Sequence, residues 1–186
     1  MENNFIESVK KQFQYYRILG EKAMDQLEET DLFWEYDPES NSVAVIVKHL
    51  WGNMLSRWTD FLTTDGEKSW RDRDAEFVGD LRSREEILQK WQEGWQCLFQ
   101  ALEGLTDSEL EQIVYIRNEG HTVMEAILRQ LAHYAYHVGQ IVYLARMISG
   151  KEWQSLSIPR DQSNAFNREK FARERSRRHF TDDELK

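Results

Sequence analysis

Cysteine is almost absent from this 186-residue chain, Cys97 being the only one. That excludes an internal disulfide, a CxxC redox pair and a thiolate zinc cage, and it fits a reducing compartment. Proline is as sparse: Pro38 and Pro159 stand alone, so long stretches carry no helix breaker. No apolar run approaches the roughly 20 residues of a membrane span. The opening MENNFIESVKKQ lacks the basic-then-apolar layout of a signal peptide. Positive charge is short as well, with 24 Lys+Arg against 33 Asp+Glu and a net charge of −9. Nucleic-acid binding is disfavoured, because phosphate contacts need a basic surface. These absences predict a soluble cytoplasmic protein with neither a membrane nor a nucleic acid as partner.

Aromatic residues are plentiful: seven Trp, seven Tyr and nine Phe, within 40% hydrophobic and 31% charged residues. Such a load predicts a packed core rather than disorder, and the length suits one domain. Apolar periodicity predicts a helix from about Asn4 to Glu29 and a second, capped by Ser42, to about Thr63. Residues 35–41, around Pro38, read as a turn-rich linker, and Thr64 to Leu81 as a long polar excursion. Ser83 and Glu86 form the signature of a capping box at the start of a third helix that Gly104 ends. Thr106 and Glu109 repeat the signature at a short helix; a brief extended segment, Val114–Ile116, and a turn follow. Thr122 and Glu125 open a fourth long helix that stops at Gly150. The expected fold is all-α, a four-helix bundle over residues 1–150 with long connections, and residues 151–186 as a charged extension.

The most informative run is His133-Tyr134-Ala135-Tyr136-His137-Val138-Gly139-Gln140. Its two histidines, at i and i+4, project from one helical face about 6 Å apart at Cβ, close enough to share a metal ion. His49, on the second helix with Val45, Gly52, Asn53 and Ser56 on its face, is the candidate third ligand. Small Gly52 and Ser56 would leave room for a bound molecule. Three neutral imidazoles leave coordination positions open, which is the pattern of a catalytic rather than a structural site. An open position can hold water and lower its pKa, or hold a thiol and favour the thiolate. No Glu follows His133, so the chain has no HExxH motif; no histidine has Glu three residues before it, so the Glu-x-x-His di-iron signature is missing too. The alternative for the pair is two satisfied histidines at a helix interface.

The runs Val47-Lys48-His49-Leu50-Trp51-Gly52-Asn53 and His133 to Ile141 resemble the DinB/YfiT-like superfamily of metalloenzymes, over roughly residues 1–150. The resemblance implies a bundle holding one divalent ion, nickel or zinc, on His49, His133 and His137. It also implies a small-molecule substrate, with a low-molecular-weight thiol such as bacillithiol as a possible partner in S-transfer. A basic residue often follows the last histidine in the family; this chain has Val138, which removes that contact to an anion or substrate. Homodimers are common among the relatives, and an aromatic-rich bundle is compatible with one. Asn53, Gln140 and Tyr134 are candidates to orient an imidazole or touch substrate. Tyr136 is a similar candidate, though packing explains both tyrosines better, and Trp51, Trp58, Trp91 and Trp95 are first of all core. Cys97 reads as a small buried hydrophobe, His121 as exposed, and His179 as solvated in the charged tail. The non-catalytic alternative is a helical metal-binding protein, or one acting through self-association or a partner.

Overall fold

The computed structural model describes residues 4–185, and they are predominantly helical. Four long helices, α1 (Phe5–Met24), α2 (Val43–Trp58), α3 (Arg84–Glu103) and α4 (Val123–Ser149), carry the core. A short α5 (Ser163–Phe171) follows. Between α3 and α4 lies an antiparallel hairpin of β1 (Ile113–Ile116) and β2 (Glu119–Thr122).

The helix starts follow the capping chemistry. Ser42 accepts from the Val45 amide at 3.4 Å. Thr122 and Glu125 close a reciprocal box, each side chain taking the other's backbone N–H at 2.8–3.1 Å. The expected box at Ser83 is only half made: Ser83 accepts from Glu86 N, but the Glu86 carboxylate turns to Arg82 N at 2.7 Å. α1 stops at Met24 and α2 at Trp58, each five residues short of the periodicity; after α2 the chain turns at Asp60, with φ 48°.

α2 packs along α3, and α1 along α4. Each long helix sends one aromatic to a common interior: Phe13, Trp58, Trp95 and Tyr134. Phe13 stands 6.2 Å from Trp58, 6.3 Å from Trp95 and 5.9 Å from Tyr134, ring centre to ring centre. Such tilted and edge-on pairs add to the burial energy of the rings themselves. Trp91 is buried too, whereas Trp51 lies nearer the surface beneath Lys90, whose ammonium is 3.5 Å from its ring centre.

The excursion after α2 is ordered by contacts rather than by helix. Asp65 is its clamp, accepting the Arg117 and Asn118 amides of the hairpin turn at 2.9 and 2.8 Å. Both turn residues have positive φ, 56° and 62°, as a two-residue hairpin turn requires. The tail also docks, contrary to the solvated His179 expected. His179 Nε2 lies 3.1 Å from Ser8 Oγ, Asp182 pairs with Lys11 at 2.9 Å, and Thr181 is buried. Among the described residues, no helix is long and apolar enough to cross a membrane.

Candidate metal centre

One turn of α2 and two turns of α4 face each other where His49, His133 and His137 meet. One nitrogen from each lies within 4.8 Å of the other two. His49 and His137 are buried and His133 is half-buried. His49 Nε2 approaches His133 Nε2 to 3.3 Å.

Hydrogen bonds on the far side of two rings settle which nitrogens face inward. His49 Nδ1 lies 2.9 Å from Glu76 Oε2. Burial alone would push the Glu76 carboxyl up, but the bond from His49 and the guanidinium of Arg71 outweigh it and hold the carboxyl below its ordinary range. An ionised carboxylate only accepts, so His49 carries a proton on Nδ1 and turns Nε2 toward His133. His137 Nδ1 likewise donates to Gln140 Oε1 at 2.7 Å, and its Nε2 is buried with no protein partner. Burial, reinforced by the neighbouring imidazoles and by Arg57 and Arg71, lowers His133 to about 3. Burial also lowers His137 to about 4, against the opposing pull of Gln140. Three converging imidazoles, with His133 and His137 held neutral by burial and one buried nitrogen orphaned, are a donor set that fits a divalent cation.

The group behind His49 was invisible to helical periodicity. Glu76 and Arg71 both come from the polar excursion, Glu76 from a single 3-10 turn, Asp74–Phe77. Arg71 grips Glu76 bidentately, Nε to Oε1 at 2.7 Å and Nη2 to Oε2 at 3.0 Å, with both side chains almost wholly buried. Phe77 from the same turn stacks on the His49 ring, centres 4.8 Å apart. The smallness of Gly52 therefore serves Glu76 and not a ligand: a Cβ there would fall 2.3 Å from Glu76 Oε1. Ser56 leaves no room either, since its hydroxyl donates to Gly66 O at 2.7 Å and accepts from Lys68 N. The one sequence hint was a glycine in mid-helix, conformationally costly unless something needs the space.

The other candidates divide. Gln140 bonds His137, as above. Asn53 lines the cavity over the histidines, but its Oδ1 accepts from the Tyr134 hydroxyl at 3.0 Å. Tyr134 is wholly buried in the aromatic interior, and its oxygen also accepts from Trp58 Nε1 at 3.0 Å; burial pushes its ionisation up. Tyr136 is exposed beside His133 and His137. His121 is half-buried with Arg129 Nη1 3.2 Å away. Cys97 is half-buried, close to Thr59, and burial raises its thiol, so it is no nucleophile in waiting.

Helices that bring three imidazoles to one point define a class: helical proteins with a candidate three-histidine metal centre. Within it, the chain belongs to the DUF1572 family, described as a protein of unknown function, whose model matches residues 1–162. That family is DinB/YfiT-like. A comparison with curated proteins finds no match.

Proposed function

We propose that this protein is a metal-dependent enzyme of the DinB/YfiT type, cytoplasmic, in which α1–α4 form the four-helix bundle of that superfamily. His49, His133 and His137 hold one divalent ion, nickel or zinc, and the reaction is transfer of a low-molecular-weight thiol to a small electrophile, or hydrolysis. When bound, the ion would supply Lewis acidity toward a thiol or water. The protein's own share is positional. Glu76 keeps His49 in the Nδ1–H form, Arg71 keeps Glu76 ionised, and Gln140 keeps His137 turned the same way. Phe77 shields one face of His49 from water. The observation that carries this reading is the orphaned His137 Nε2 within 4.8 Å of a nitrogen from each of the other two histidines.

Metal analysis of protein purified without chelator tests it. About one equivalent is expected, lost on His137→Ala. No metal after purification and none taken up on reconstitution would overturn the reading. A transferase assay with bacillithiol and a generic electrophile then separates catalysis from storage. The second reading, a non-catalytic protein acting through self-association, draws on the exposed α4 face, where Tyr136, Tyr143 and Met147 are 54%, 65% and 48% accessible. A homodimer through that face is compatible with either reading, and sedimentation measures it.

A further inference from the structure

The cavity above the three histidines has a volume of about 410 Å³. Five arginines line it, Arg57, Arg71, Arg73, Arg117 and Arg129, and no carboxylate does. They arrive from α2, the excursion, the hairpin turn and α4, so no short stretch of sequence is basic. The nearby acids do not cancel them. Glu76 is held by Arg71 and His49; Glu67 is shared by Arg57, Arg71 and Arg117, each at 3.2 Å; Asp74 lies 3.9 Å from Arg73. With Asp65, which accepts the Arg117 amide and feels the charge of Arg57, four carboxylates stand against five guanidiniums and leave a positive surplus, in a chain whose net charge is −9.

Two side chains in the cavity wall are deeply buried and incompletely partnered. The Arg57 side chain is 7% exposed, and its Nε has no acceptor. Gln130 is 4% exposed, and its Oε1 has no donor. Buried donors and acceptors left open are costly in a folded protein and mark places where something else completes them. One asks for a negatively charged oxygen and the other for a proton.

We propose that the occupant is a small oxyanion, a carboxylate or a phosphate ester, that also bears a hydroxyl or amine hydrogen. Its anionic oxygen takes Arg57 Nε, its proton goes to Gln130 Oε1, and the exposed guanidiniums of Arg73 and Arg129 draw it in. That the occupant is a substrate rests on the metal-centre reading; that it is an anion does not.

Calorimetric titration of the full chain, zinc-loaded and after chelator treatment, compares glycerol 3-phosphate and glycerate with neutral glycerol. Both anions should bind at least about tenfold more tightly than glycerol, with salt weakening them. The exposed pair Arg73→Ala/Arg129→Ala should lose about tenfold in anion affinity. Arg57→Met and Gln130→Met remove the interior partners; should either fail to fold, the exposed pair still decides. Equal binding of glycerol and its anions, or anion binding indifferent to Arg73 and Arg129, overturns the proposal. Stoichiometric metal without anion preference overturns it while leaving the metal centre standing. Anion preference in protein that takes up no metal, lost in the arginine variant, supports the pocket and overturns the metal centre. The stronger of the two anions identifies the chemical source.

Discussion

Replacing Gly52 by alanine sets two effects of opposite sign against each other. Helix propensity favours alanine in mid-helix by about 1 kcal/mol. Against that, the new Cβ would lie 2.3 Å from Glu76 Oε1 and 2.7 Å from its Cδ. A free side chain would swing aside, but Glu76 is pinned by His49 and by both arms of Arg71. Displacing it leaves Arg71, 2% exposed, with only the 3.2 Å contact to Glu67. Breaking a buried pair by removing one partner costs about 3–5 kcal/mol, so the net change is a loss of about 2–4 kcal/mol. Urea unfolding of chelator-treated protein at neutral pH reads this without any contribution from bound metal. The same displacement frees His49 Nδ1, and metal affinity should fall about 10- to 100-fold. An alanine variant as stable as the parent, or about 1 kcal/mol more stable, refutes the claim that Gly52 exists to seat Glu76.

Tyr134→Phe strips a partner from both Trp58 Nε1 and Asn53 Oδ1; a loss of about 1–3 kcal/mol is expected in urea unfolding, and an unchanged midpoint would contradict the bridging role. Gly139→Ala meets nothing within 4 Å and should raise the melting midpoint, gaining about 1 kcal/mol; a lower midpoint would mean the position is not open. Burial pushes Asp65 up, but the Asn118, Glu67 and Arg117 amides outweigh it and hold its folded pKa below the unfolded value. Its contribution is therefore present above the ordinary carboxylate pKa and is lost as pH falls through the folded value. Asp65→Asn should remove that part of the acid dependence in unfolding titrations, and an identical acid limb would refute it.

The elements most legible in the sequence are those with a period or a cap. The starts of α2, α3 and α4 follow from Ser42, Ser83 and Thr122, and the convergence of His49, His133 and His137 follows from one helical turn on α4 facing α2. What lay beyond reach came from segments with neither signal. Arg71 and Glu76 sit in a polar stretch whose course is set by Asp65 and by contacts to the hairpin, more than 50 residues away in sequence. Their absence from the sequence reading is why Gly52 looked like room for a ligand. The tail is a related case: His179, Thr181 and Asp182 dock through side chains that carry no periodicity.

The meeting of Phe13, Trp58, Trp95 and Tyr134 bears on the order in which the chain can fold. α2 and α3 are consecutive helices, so their pairing closes residues 59–83 alone, at a lower entropic cost than a loop that spans most of the chain. α1 and α4 are the opposite case: α4, the helix that α1 packs along, begins only at Val123, although Phe13 also meets Trp58 of α2 and Trp95 of α3. On a ribosome, the side of α1 that packs on α4 therefore stays uncovered until most of α4 has been made. Tyr134 completes the aromatic interior last, and an N-terminal fragment ending before α4 would leave that side of α1 open to chaperone capture.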